Sequence, residues 1–155
     1  MIPFKHILLP TDFSSNAKSA QDYACEFADQ FGARLHVLNV VQDAALILPE
    51  TGMFLTLPVP SVQEIVQAAE ISLQTVLDPA WAATHDVCQH VAVGTPYVEI
   101  VRYADEHHID LIILGTHGRT GLQHVLMGSV AERVLRQANC PVLTIRSAKQ
   151  EDGNT

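Results

Sequence analysis

Two hydrophobic periods alternate along the chain. Short runs of branched apolar residues are each followed by a longer stretch whose apolar positions recur every three or four residues. Lys5–Pro10 predicts a first buried strand, which stops at the turn chemistry of Pro10-Thr11-Asp12. Ser14 or Ser15 can cap a helix running to about Phe31, with Ala17, Ala20, Ala24, Phe27, Ala28 and Phe31 on one face. Gly32 is a natural residue to end it. Arg34–Val41 predicts a second strand. Ser61-Val62-Gln63-Glu64 matches a capping box and opens a helix with Val62, Ile65, Ala69, Leu73 and Val76 on one face, ending near Asp78-Pro79. Asp86–Val93 alternates as a half-exposed third strand. Thr95 and Pro96 then sit at the N-cap and first position of a helix with the stripe Tyr97, Ile100, Val101 and Ala104. A buried strand, Ile109–Leu114, leads through a glycine-rich stretch to a helix over 130–138. Cys140–Arg146 closes the series as a fifth strand.

A strand–helix unit thus occurs four times and ends on a strand, which predicts an open five-stranded parallel sheet with helices on both faces. Right-handed crossovers make the order 3-2-1-4-5 reasonable. We expect one domain over residues 1–147 and a polar tail over 148–155. Residues 42–60 carry Pro49, Gly52, Pro58 and Pro60 and no clear period. They read as an irregular loop, either a lid or partner contact or an insertion packed on the surface.

Composition narrows the class. With 155 residues, 48% hydrophobic and 17% charged, the chain can bury a real core. No apolar stretch approaches the ~20 residues of a transmembrane helix, and the N-terminus carries no signal-peptide pattern. The three cysteines, Cys25, Cys88 and Cys140, are widely spaced and form no C-x-x-C pair. They read as small buried hydrophobes in a reducing, cytoplasmic protein. The net charge of −8 argues against nucleic acid or an anionic membrane as partner. That charge is uneven, because no Asp or Glu occurs from Leu111 to Ala131. The eight histidines form no i, i+4 pair and no Cys/His cluster of ligand spacing, so an intrinsic zinc site is not expected.

The carboxylate-free stretch holds the candidate chemistry. Between strand and helix lie Gly115, Gly118, Gly121 and Gly128, four glycines in fourteen residues. Glycines let a backbone approach a ligand closely, and a helix N-terminus favours an anion. The motif is not a Walker A loop, since no lysine lies in it, and it is not G-x-G-x-x-G. Its pattern is Gly115-x-x-Gly118, nine residues, then Gly128-Ser129. In the expected strand order this loop faces Pro10-Thr11-Asp12 across the switch point of the sheet.

Spacing and context together resemble the ATP-binding branch of the universal stress protein family. Pro10-Thr11-Asp12, the strand end Leu38-Asn39-Val40-Val41 and the closing Cys140-Pro141-Val142-Leu143 carry the same resemblance, which covers about residues 3 to 146. It implies a Rossmann-like fold of the adenine nucleotide alpha hydrolase type. It implies ATP as ligand, with Mg²⁺ or Mn²⁺ carried on the phosphates. It implies that Gly115, His117, Gly118 and Arg119 line the ribose and α-phosphate side, and that Gly128, Ser129 and Val130 hold the outer phosphates. Pro10, Thr11 and Asp12 would pack on the nucleoside, and the Val40 backbone would meet the adenine edge. The family often has histidine where Asn39 stands, a departure from which no consequence for nucleotide binding is expected. A homodimer through the last strand, Val142 to Arg146, is implied as well.

Several of these residues have a plain structural reading beside the functional one. Ser129-x-x-Glu132 is also a capping box. Asp12 can serve its turn, His117 can pack the loop, and Arg119 can be a solvated surface residue. The leading function is ATP-dependent regulation in a stress response through an unidentified protein partner. The alternatives are a slow ATPase or phosphotransferase, with Asp12 and Arg119 as the only candidates for the chemistry, and a nucleotide-free dimeric interaction module. A flavin-binding electron-transfer subunit shares the fold class but leaves Gly128-Ser129 unexplained.

Overall fold

The structure, a computed structural model, describes residues 3–42, 60–117 and 127–147. The elements run β1 (His6–Pro10), α1 (Ser15–Phe31), β2 (Arg34–Val41), α2 (Val62–Leu73), α3 (Pro79–Thr84), β3 (Val87–Val93), α4 (Pro96–Glu106), β4 (Leu111–Gly115), α5 (Ser129–Gln137) and β5 (Val142–Ile145). The five strands form one sheet in the order β3-β2-β1-β4-β5, and every neighbouring pair is parallel. The expected topology is therefore the observed one. The expected loop over 42–60 falls outside the described residues from 43 to 59, and the tail over 148–155 lies outside them too.

Strand alternation divides the core into two layers. Ile7, Leu9, Leu35, Val37, Leu111 and Ile113 face α1, where they meet the small residues Ala20, Ala24 and Ala28. Leu8, Leu38, Ile112 and Leu114 face the other way, onto Ile100, Tyr103 and Ala104 of α4 and Ala131 and Val134 of α5. Ile7, Leu8 and Leu9 are fully buried, so β1 is covered on both faces. Each such aliphatic side chain contributes about 1.5–3 kcal/mol of burial.

The caps explain where the helices begin. Of the two candidate serines, Ser14 caps α1, its Oγ accepting from the Ala17 amide at 3.3 Å. Gly32 ends the helix in the left-handed region, with φ +62°. The Ser61–Glu64 capping box is reciprocal: Glu64 N–H donates to Ser61 Oγ at 3.2 Å, and Ser61 N–H to Glu64 Oε2 at 2.8 Å.

The end of α2 differs from the expectation. The helix stops at Leu73 and does not reach Asp78-Pro79. Ser72 Oγ donates to the Ala68 carbonyl at 2.9 Å, and Thr75 Oγ1 donates to the Ser72 carbonyl at 3.0 Å. Beyond Leu73 the chain tightens into i→i+3 turns, Thr75 N–H donating to the Ser72 carbonyl at 3.1 Å and Val76 N–H to the Leu73 carbonyl at 3.2 Å. Asp78 then caps the short helix α3, accepting from the Trp81 amide at 2.9 Å, with Pro79 in the first turn. Asp29 ties α3 to α1, accepting from Trp81 Nε1 at 3.0 Å and from His85 Nε2 at 2.6 Å.

Four histidines that lie far apart in sequence gather under α4. His36 is buried, with its Nε2 3.2 Å from His6 Nδ1 and its Nδ1 3.0 Å from the Tyr103 hydroxyl. The rings of His107 and His90 stack on Tyr103, and Cys88 Sγ lies 3.8 Å from the same hydroxyl. Sequence spacing concealed this cluster, because strand register and the α4 crossover bring its members together. Burial, with His6 and His107 close by, pushes the His36 imidazole down to about 4 from its ordinary 6.5.

A depressed histidine value means that the unfolded chain takes up the proton first. Stability is therefore complete above about pH 6.5 and falls as the pH drops from 6.5 toward 4. The loss from this group is on the order of 3 kcal/mol. Urea unfolding midpoints measured between pH 7.5 and 4 should fall through that window. His36→Leu should flatten the slope; an unchanged slope would remove His36 as its source.

Candidate functional site

Parallel strands in a sheet of this order open a crevice where the connections from two neighbouring strands part in opposite directions. Here those strands are β1 and β4, and the connections are the β1–α1 turn and the glycine-rich segment. The turn is built from its own polar atoms. Thr11 Oγ1 accepts from the Phe13 amide at 3.1 Å, and Asp12 Oδ1 accepts from the Ser14 amide at 3.0 Å. Phe13 is held at φ +64°, a left-handed conformation that a bulky side chain rarely takes. Asp12 therefore performs the turn role anticipated for it while also lining the crevice.

On the opposite side, Gly115 ends β4 and Thr116 continues the ladder by donating to the Ile145 carbonyl at 2.9 Å. A Cβ built on Gly115 would lie 3.0 Å from the Asn16 carbonyl oxygen in the first turn of α1. A side chain here would press on α1, so the approach of strand to helix favours glycine at this position. Thr116 Oγ1 and His117 Nδ1 are 3.0 Å apart. The described residues resume at Met127, and α5 starts at Ser129.

The start of α5 decides between two readings of Ser129. Gly128, in extended conformation, is the N-cap, and Ser129 is already the first helical residue. The Ser129–Glu132 capping box does not form, because a capping side chain must stand one position earlier. Gly128 commits its own N–H to the Thr116 carbonyl. The first-turn amides beyond it, from Ser129 to Ala131, have no intrahelical partner and carry the positive end of the helix dipole.

Both sides face one cleft of about 710 Å³, within the range of small-molecule and cofactor sites. Pro10, Thr11 and Asp12 form one wall, Gly115, Thr116 and His117 the floor beside β4, and Gly128, Ser129 and Val130 the facing wall. Val40 lines the far end with Leu38 and Val41. Every anticipated site residue that is described lies on this one cleft. Gly118 and Arg119 fall outside the described residues. Asp12 is the one carboxylate among the described lining residues, and no described lysine or arginine lines the cleft. Attraction for an anion therefore falls to the α5 amides and dipole on this part of the surface. Among the described residues no group of His, Cys, Asp or Glu is arranged to hold a metal ion.

Other contributors were not anticipated. Ile65 and Ala69, assigned to the core stripe of α2, line the cleft together with Ala68 and Ser72. Pro96 and Ile100 add the N-terminal half of α4. Asn39 is buried, lines the cleft, and donates from Nδ2 to the Thr11 carbonyl at 2.8 Å. Its signal in the sequence is a lone amide inside the apolar run Leu35–Val41.

Comparison with known proteins agrees with this architecture. The sequence pattern that defines the universal stress protein family matches residues 3–146. Universal stress protein MJ0531 of Methanocaldococcus jannaschii is 33% identical over 150 residues, spanning 96% of this chain and 85% of that protein. The solved structure of MJ0577, from the same organism, superposes with a TM-score of 0.78 at 28% identity, covering 96% of this chain and 99% of that one. The universal stress protein of Archaeoglobus fulgidus solved in complex with dAMP shares the fold at a TM-score of 0.63 and 24% identity, covering 93% of this chain and 99% of that one. No helix among the described residues is long and apolar enough to cross a membrane.

The close approach at Gly115 yields a direct test. Gly115→Ala forces a methyl group against the Asn16 carbonyl and should lower stability by about 1–2 kcal/mol. Urea denaturation measures this; an unchanged or raised midpoint would show that α1 can move away without cost.

Proposed function

The chain belongs to the universal stress protein family, and from that premise we propose that it is an ATP-binding regulatory protein of the stress response. One observation carries the reading: the β1–α1 turn and the start of α5 face each other across a single cleft at the sheet's switch point. The adenine lies at the Val40 end, against the apolar side chains of β2, α2 and α4. The ribose lies between the Pro10-Thr11-Asp12 wall and the Gly115–His117 floor. Gly118 and Arg119 complete that side. The outer phosphates meet the amides of Ser129 and Val130 and the Ser129 hydroxyl. Gly128 acts by leaving room for them rather than by its own N–H, which serves Thr116. Mg²⁺ or Mn²⁺ comes with the phosphates, and Asp12 is the carboxylate on the described part of the cleft wall.

Such a ligand bridges elements from both halves of the chain. Binding stabilises the arrangement in which they face each other, and the stabilisation grows with ATP concentration. That is the property a nucleotide-dependent regulator needs, and a protein partner then distinguishes loaded from empty chains. The free cysteines Cys25, Cys88 and Cys140 accord with a reducing cytoplasm. β5 lies at the sheet edge, and its outer backbone groups suit pairing with the same strand of a second copy through Val142 to Arg146.

Two measurements address these readings. Protein denatured directly after purification should release adenine nucleotide near one per chain, and Gly128→Asp should abolish ATP binding. The variant keeps the fold, because aspartate is a favoured N-cap residue and the backbone at 128 is extended, with φ −69°. Its carboxylate would stand where phosphate binds. No binding of added ATP at millimolar concentration by the natural chain would refute the reading, and full affinity in the variant would move the phosphate site elsewhere. Sedimentation at micromolar concentration should give twice the chain mass; a monomer there would refute the β5 pairing.

A further inference from the structure

We propose that Asn39 is a positioning residue for the nucleotide, acting through the β1–α1 turn rather than through the phosphates. The inference rests on the ATP reading and deepens it. The turn from Pro10 to Ser14 carries a strained residue, Phe13 at φ +64°. Strain of this kind persists only where surrounding contacts over-determine it. The contacts to Phe13 and Ser14 described above arise within the turn itself, from Thr11 Oγ1 and Asp12 Oδ1.

A clamp on the two ends of Thr11 holds the turn against the sheet. The Thr11 amide donates to the Leu38 carbonyl at 2.9 Å, and the Thr11 carbonyl accepts from Asn39 Nδ2 at 2.8 Å. The first bond is backbone and available to any sequence. The second depends on one side chain, which stands on a central strand and is 6% exposed. A buried, packed amide has few rotamers to choose from, so the bond sets where the Thr11–Asp12 peptide lies. The wall that meets the nucleoside is therefore registered to β2, the strand whose next residue, Val40, lies at the adenine end. Loss of the Asn39 donor leaves a carbonyl without its partner and frees the turn to shift.

The consequence is selective. Asn39 controls the nucleoside half of the cleft, whereas the α5 amides are held by β4 and Thr116. Calorimetric titration of the natural chain and Asn39→Leu with ATP, adenosine and inorganic tripolyphosphate tests this. ATP and adenosine should each bind about tenfold more weakly to the variant, and tripolyphosphate should bind equally to both. Asn39→Ala removes the donor without adding volume, so this second variant serves if leucine disturbs folding. Unchanged adenosine affinity in a variant, or equal loss of adenosine and tripolyphosphate, would overturn the proposal while leaving the ATP reading intact. A natural chain that binds neither ATP nor adenosine would overturn the reading itself, and the proposal with it.

Discussion

The position of β1 constrains everything else in this protein. It is hydrogen-bonded to β2 on one edge and β4 on the other, and its apolar side chains are buried on both faces. A strand satisfied in this way cannot slip, because a shift of one residue would send Ile7 and Leu9 into the layer built for Leu8. Its carboxyl end is therefore a fixed point, and the turn that follows inherits that precision. Because the chain leaves β1 toward β2 and only later returns to lay down β4, the connections on the two sides diverge. The crevice follows from the connectivity, and side chains have only to line it.

The helices show how closely that frame is packed. α1 presents alanines to the sheet, and the end of β4 approaches its first turn so closely that a methyl group on Gly115 would press on the Asn16 carbonyl. This contact explains a glycine that a motif reading assigns to the ligand. Gly115 serves the frame as well as lining the cleft, and amide donors without an intrahelical partner lie at the start of α5. Gly128 is intermediate, tied to Thr116 through its amide and exposing the first-turn amides that follow it.

Two polar groups embedded in the apolar interior act in different ways. The His36 cluster lies under α4, where burial holds an imidazole neutral among other histidines and a tyrosine. Its effect is on the stability of the whole fold. Asn39 lies three residues further along the same strand and acts locally, by joining the end of β2 to the turn after β1. Strand alternation explains the separation, since residues 36 and 39 point to opposite faces of β2.

Much of this was legible in the amino-acid sequence. Continuous apolar runs, with alternation at the half-exposed third strand, identify the strands, and period-3.6 patterns identify the longer helices, because inner strands are buried on both faces and helices on one. Ser14, Gly32 and the Ser61–Glu64 pair mark helix ends through local hydrogen bonds that depend on near neighbours alone. The convergence of Pro10-Thr11-Asp12 with Gly128-Ser129 followed from the alternation of elements and the strand order it favours. Other features were decided only in three dimensions. The early end of α2 is a tightening into i→i+3 turns at Thr75 and Val76. Ser129 lost its capping role through a boundary one residue away. The histidine cluster, the contact of Gly115 with Asn16 and the Asn39 bond to Thr11 join residues whose separations carry no pattern. Local sequence determines what each segment becomes, since its partners are close in the chain. Which segments touch is a property of packing, and at those contacts tertiary structure assigned Gly115, Asn39 and His36 their roles.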